Sequence, residues 1–393
     1  MKNKELCIET QIQLNNIFKK KTNQLNYKES LYFIAKCLTI SLEEKNRQEI
    51  EKQLKSTSID WDAVVKVSTA HYVFPALYCN LKRADFLHYL PQELVNFMEH
   101  ITNINRERNK KIIAQAKELN SLLLANNIRP IFLKGTGNLL AGIYEDIAER
   151  MVGDIDFIFS KEDYPKTINI LREFGYSNVS KYKYHFPLIK HYPKLQKQNS
   201  IAVIEIHKEI LNVKKHINEF NYSFVEKDSQ VINEVTVLSY ANKLNLSIIA
   251  NQINDSGFYY KTMALRNAYD VFLLSKKTNA KKAVNTLDTL SHPLNCFLAA
   301  CYEIFNSVDS LEYNNTKKTA SYLNIFNSQF SNPKTTKRRH KRIKIYLFLK
   351  IRLNLIYKSI IRKEYRVWLF NVLTDKDWYK RKLIKLGIKN ITK

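Results

Sequence analysis

Apolar residues recur at helical spacing along most of this 393-residue chain and give way to short strand-like runs in its middle third. Between Lys28 and Ile40 the recurring positions are Leu31, Ile34, Ala35 and Leu38, which share one helix face. Asp60 stands as an N-cap before Trp61 and opens a run to Leu81. In it Val64, Val65, Val67, Ala70, Val73 and Leu77 supply a buried face. Pro91 sits at a first-turn position, and the helix it opens continues to about Leu124. The middle of that helix, Asn105 to Lys111, is charged and carries few apolar residues. It reads either as a nucleic-acid surface or as a solvated helix face, and the second is favoured. Residues 1–25 are polar and predict little packing.

The strand-like runs begin at Ile131-Phe132-Leu133, which Gly135 ends, with a helix predicted from Thr136 to Glu145. The second run, Asp154-Ile155-Asp156-Phe157-Ile158-Phe159, carries two aspartates two residues apart. Side chains alternate along a strand, so Asp154 and Asp156 point the same way and Ile155 and Phe157 point into the core. Two carboxylates side by side repel, and a divalent cation relieves that repulsion. A helix follows over Glu162 to Phe174, with Ile168, Ile170, Leu171 and Phe174 inward and Gly175 as its C′ residue. Strands are expected at Tyr182–Ile189 and Ser200–His207; in the latter Val203, Glu205 and His207 share one face. From Val235 the period is helical again, with Leu238, Leu244, Leu246, Ile248 and Ile249. Another helix spans Ala264 to Leu274, where Arg266 and Asp270 form a structural i,i+4 pair. One more runs from Leu294 to Phe305. Asn306–Pro333 is rich in Ser and Asn and reads as a loop-rich boundary.

Beyond Pro333 lies a strongly basic stretch, then apolar positions with cations interspersed, predicting a helix from about Lys337 with an electropositive surface. This segment packs on the rest of the chain, lies on an anionic membrane, or binds RNA phosphates. The whole chain carries a formal charge of +26, which points to an acidic partner: nucleic acid, anionic lipid or polyphosphate. The five cysteines show no Cys-x-x-Cys spacing, which argues against a disulfide framework or a zinc ribbon and fits a reducing cytosol. Zincin spacing, a Ser nucleophile elbow and a Cys-His arrangement are missing as well. Neither a signal-peptide core nor a membrane-spanning apolar run is expected.

The ordered set Leu133-Lys134-Gly135, Tyr144, Arg150, Asp154-x-Asp156, Gly175-Tyr176 and Glu205-x-His207 resembles a nucleotidyltransferase family. That family, usually called uncharacterised nucleotidyltransferase, is a bacterial branch of the superfamily related to DNA polymerase beta. The resemblance extends from roughly Asp60 to Lys276. It implies an α+β fold: a polymerase-beta-like core with a mixed sheet, flanked by N- and C-terminal helical regions. The expected units are an N-terminal helical region over 1–126, a catalytic core over 127–225, a C-terminal helical region over 226–332 and a basic helical tail over 333–393. Thr136 replaces the serine common in the superfamily, and Gly135-Thr136 stands further from the Asp strand than usual.

By this resemblance the chain transfers a nucleoside monophosphate from an NTP to an unidentified hydroxyl. Asp154 and Asp156 bridge two Mg²⁺ or Mn²⁺ ions, and Glu205 holds the ion that activates the acceptor. Lys134 and Arg150 meet the triphosphate, with Gly135 and Thr136 supplying backbone and hydroxyl contacts. The branch's association with cell-surface polysaccharide clusters implies a sugar-linked acceptor and a cytoplasmic enzyme, peripheral at the inner membrane face. Transfer to RNA or protein is the second enzymatic reading. A non-catalytic nucleotide- or RNA-binding module is the alternative from another class.

Overall fold

The computed structural model describes residues 27–179, 190–211 and 216–377. The first 25 residues and the strand expected at Tyr182–Ile189 lie outside them. Five helices come first: α1 (Tyr27–Cys37), α2 (Glu44–Ser56), α3 (Trp61–Ala70), α4 (Phe74–Arg83) and the long α5 (Gln92–Leu124). Asp60 caps α3, its carboxylate accepting from the Ala63 N–H at 3.1 Å. The run expected to continue to Leu81 is split in two. Tyr72 takes φ +58°, a left-handed turn that ends α3, and Pro75 opens the first turn of α4. Helix α2 had no apolar stripe to announce it, since only Asn46 and Ile50 are buried along it.

Seven strands form one mixed sheet: β1 (Ile131–Phe132), β2 (Asp154–Ile158), β3 (Tyr176–Asn178), β4 (Leu195–Lys197), β5 (Val203–His207), β6 (Gln230–Ile232) and β7 (Val235–Val237). Their order is β3-β4-β5-β2-β1-β7-β6. Strand β2 lies at the centre, antiparallel to β1 and parallel to β5. Between β1 and β2 comes the short α6 (Lys134–Leu140), and α7 (Tyr164–Glu173) precedes Gly175, at φ +94°. Gly137 lets α6 press on β1, because a Cβ there would stand 2.5 Å from the Phe132 carbonyl oxygen. Val235, expected to begin a helix, belongs instead to β7, which pairs in parallel with β1. Its three residues, Val235, Thr236 and Val237, are all buried, and a run this short carries no period to tell strand from helix.

The charged middle of α5 is a set of fasteners. Asn109 donates from Nδ2 to the carbonyls of Ile147 and Arg150 at 2.6 and 2.7 Å. Asn105 reaches Ala148 O at 2.7 Å, and Arg106 pairs with Asp146 at 2.6 Å. These bonds hold the loop that leads into β2. The helices that follow are α8 (Tyr222–Lys227), α9 (Tyr240–Ile249), the one-turn α10 (Gly257–Tyr260), α11 (Leu265–Ser275), α12 (Ala280–Asn285) and α13 (Asp288–Ile304). The Ser/Asn-rich segment contains a helix where loop was expected: α14 (Lys317–Ser331), capped by Thr316 and seated by Tyr322 and Phe326. Two more helices close the described chain, α15 (Pro333–Ile361) and α16 (Lys363–Thr374), and the rest of the tail expected over 333–393 lies outside the described residues. One contiguous apolar core among the described residues runs from Leu31 to Phe326 and includes the strands.

Candidate active site

The register of β2 against β5 sets the site. Asp154 faces Val203, Asp156 faces Glu205 and Ile158 faces His207 across a parallel pair. The period of two brings Asp154, Asp156, Glu205 and His207 to one face, as the alternation predicts. Strand β1 delivers a cation beside them. The Leu133 N–H donates to the Asp156 carbonyl at 2.9 Å, so the next residue, Lys134, starts α6 directly above the carboxylates. Lys134 takes φ +51°, a strained conformation for a lysine and one that turns strand into helix within a single residue.

Lys134 Nζ lies 2.5 Å from Asp156 Oδ1 and 3.5 Å from Glu205 Oε2. Lys194, just before β4, spans the other side, 2.6 Å from both Asp154 Oδ2 and Glu205 Oε1. Three carboxylates thus share two ammonium groups. Burial opposes charge on Asp156, but Lys134 and then His207 outweigh it and hold this carboxyl well below the usual range. Asp154 is raised, chiefly by burial, with Glu205 and Asp156 adding repulsion against the pull of Lys194. Burial followed by the field of Lys134 pushes Lys190 down to about 8.

His207 completes the group. Its Nε2 stands 2.9 Å from Asp156 Oδ1, and its Nδ1 stands 3.3 Å from the Glu209 carbonyl oxygen. Both ring nitrogens face acceptors, while a neutral imidazole has one N–H. Burial above all pushes its pKa to about 4, so the ring is neutral at pH 7 and one contact lacks a proton. A cation at Nε2 removes the mismatch: Nδ1–H then donates to Glu209, the usual outer-shell support of a ligating histidine. Donor atoms of Asp156, Glu205 and His207 lie within 4.8 Å of one another, close enough for one ion. The two carboxylates offer the hard oxygens a divalent cation takes together with substrate phosphates, and the imidazole adds a softer nitrogen donor.

Other expected residues are placed differently. Arg150 is buried and its guanidinium is engaged by Asp270, with Nε at 3.0 and 3.1 Å and Nη2 at 2.9 Å. Tyr144 donates to the same Asp270 carboxylate at 2.7 Å. The i,i+4 pairing of Arg266 with Asp270 is therefore replaced by a longer-range pair, and Arg266 lies over the Tyr72 ring at 5.1 Å. Nor does Arg150 pair with Glu149, which takes Arg83 at 2.6 Å. Gly135 sits against Val152 and Arg150: a Cβ there would be 2.9 Å from Val152 Cγ2 and 3.6 Å from Arg150 Cζ. Thr136 is fully buried and spends its hydroxyl on the Asp154 carbonyl at 2.9 Å. Of the four residues expected to meet the triphosphate, Lys134 is the one whose side chain bonds to the carboxylates. Lys194 gave no signal in the sequence, being one lysine among many. His207 did give one, because it alternates onto the face of Glu205.

The profile of a family described as uncharacterised nucleotidyltransferase matches residues 57–306, from just before the cap of α3 to just past α13. The chain belongs to this family. Its matched region holds the whole sheet and every member of the carboxylate cluster. No curated protein matches the chain. Nucleotidyl transfer is the reaction that the family and the acidic cluster support together.

Proposed function

We propose that this nucleotidyltransferase moves a nucleoside monophosphate from an NTP to a hydroxyl acceptor, using divalent cations held by Asp154, Asp156 and Glu205. The observation that carries this reading is the pairing of Asp156 with Glu205 across β2 and β5, with Lys134 bonded to both. His207 joins them as a nitrogen donor toward the ion shared by Asp156 and Glu205. Divalent cations bound there would neutralise charge on the phosphates and lower the pKa of the attacking hydroxyl.

The chain's own residues do the rest. Lys134 and Lys194 are cations already at the rim of the carboxylates, free to swing from carboxylate oxygens to phosphate oxygens once metal neutralises their present partners. Lys190 adds a third positive group, whose charge burial and then Lys134 disfavour and which an anionic triphosphate would stabilise. The Arg150–Asp270 pair holds Gly135 and Val152 in place beneath Lys134, so its contribution is to position the loop. Thr136 does the same by bonding to the backbone of Asp154.

The acceptor assigned by family resemblance is a hydroxyl of a sugar-linked or surface-polymer precursor, handled in the cytoplasm. Hydroxyls of RNA or protein are the competing acceptors. Isothermal titration of each NTP, with and without Mg²⁺, tests the reading. Metal-dependent binding that Asp154→Asn removes supports it. Metal-independent binding of NTP or RNA, unchanged in that variant, would support a non-catalytic binding module in its place.

A further inference from the structure

We propose that α15 and α16 together form a docking surface for an anionic lipid membrane. The inference is independent of the chemistry assigned to the carboxylate cluster. It rests on how the two helices leave the body of the protein. The root of α15 is tied down: Arg339 donates to the Tyr260 carbonyl at 2.6 Å, and Lys350 Nζ reaches the Tyr259 hydroxyl at 3.3 Å. Past Lys350 the buried residues are Leu355, Ser359, Tyr365 and Val372, which lie on the two helices themselves. Among the described residues, the helices close on each other there and keep their outer surfaces exposed.

What they expose is apolar. Leu353, Tyr357, Ile360 and Phe370 are 66%, 63%, 70% and 68% exposed, and Ile351 and Ile356 are also more than half exposed. A surface this apolar is unusual on a protein standing alone in water. Charge chooses its partner. From Pro333 to Lys363 there are twelve lysines and arginines and neither Asp nor Glu. A second copy of the same surface would bring like charges together. RNA would satisfy the cations but leave the aliphatic side chains in water. An anionic bilayer takes both: headgroups meet Lys and Arg, whose stems snorkel, and the aliphatic groups enter the acyl boundary. No helix among the described residues is long and apolar enough to cross a membrane, so the pair would lie along the surface.

Flotation of the full chain with vesicles decides the matter. One set is phosphatidylcholine alone, and the other contains roughly 30% phosphatidylglycerol, enough for a substantial surface potential. Two variants accompany the native protein, each first shown by circular dichroism and thermal melting to be folded: Leu353→Ser with Ile356→Ser and Ile360→Ser, and Lys344→Gln with Arg352→Gln and Lys363→Gln. The expected result is flotation with anionic vesicles only, weakened by high salt, with the bound fraction of each variant down about tenfold or more. The proposal is overturned by equal recovery on neutral vesicles, or by no flotation at all. It is overturned as well by a serine variant that floats like the native chain. Retention of an RNA oligomer without vesicle binding, or a dimer in sedimentation that the serine variant abolishes without any vesicle binding, would assign the surface to another partner and reject the membrane. None of these failures would touch the nucleotidyl-transfer reading, which the NTP titrations test separately.

Discussion

Asp156 is bonded at once by Lys134 and His207 while it faces Glu205. Replacing it with the isosteric amide should leave the strand intact and remove the charge that both partners read. Asp156→Asn is expected to lower the transfer rate by about three orders of magnitude or more, since such electrostatic positioning supplies much of an enzyme's barrier reduction. Single-turnover rates beside thermal melts would check this, and an active, well-folded variant would rule Asp156 out. Arg150 should behave in the opposite way. Arg150→Met strands the Asp270 carboxylate in the core, and losing one partner of a buried pair costs about 3–5 kcal/mol. Urea unfolding should show that loss, and a variant as stable as the native chain would refute a structural role for Arg150. The sequence made the Asp pair readable because strand alternation puts Asp154 and Asp156 on one face, while Glu205 joined them there only through the family resemblance and lies beside them through the β2–β5 register. It could not reveal the fate of Arg150, whose partner Asp270 is 120 residues away while Glu145 and Glu149 stand close by in the chain.

At the scale of elements, amphipathic helices and the central strands announced themselves, while elements without a one-sided pattern did not. Helix α2 buries two residues, and β7 is three residues long and buried throughout, so neither carries a period. The polar fasteners of α5 were equally hidden, because a buried asparagine looks the same as an exposed one in a sequence. Asn109→Ala removes the donor to the Ile147 carbonyl and leaves the Arg150 carbonyl with the longer 3.3 Å bond from Asn105, and should cost about 1–3 kcal/mol, read from denaturant midpoints. An unchanged midpoint would show that water replaces the amide there. His71, between α3 and α4, makes a pH prediction. The Leu265 N–H donates to its Nδ1 at 3.1 Å, so Nε2 carries the proton and donates to the Tyr27 hydroxyl at 2.6 Å. Burial lowers its pKa from 6.5 to about 4. The unfolded ring therefore binds a proton first on acidification. The contribution of His71 to stability is complete above pH 6.5 and falls through the interval down to about 4, at no more than about 1.4 kcal/mol per pH unit. Urea midpoints between pH 7 and pH 4 should fall less steeply in His71→Asn than in the native chain; parallel profiles would contradict the assignment.

For the whole molecule, the sequence disclosed a mixed α+β architecture and a basic helical tail, but not how the parts share one interior. Residues of the N-terminal helices, the sheet and the later helices, from Leu31 to Phe326, pack into the same apolar core. That continuity arises from contacts between distant segments, which periodicity does not report. The consequence is that the site is framed by a body of helices, with Lys134, Lys194 and the carboxylates held at fixed places on a central sheet. The claim that this frame serves nucleotidyl transfer has one direct test. The protein is incubated with Mg²⁺, a cell extract and each NTP in turn, labelled either at the α-phosphate or at the γ-phosphate. Label from the α-position should enter an acceptor as pyrophosphate is released, with none from the γ-position and none in Asp156→Asn. Transfer of the γ-label, or α-labelling that persists in Asp156→Asn or without a divalent cation, would contradict the account.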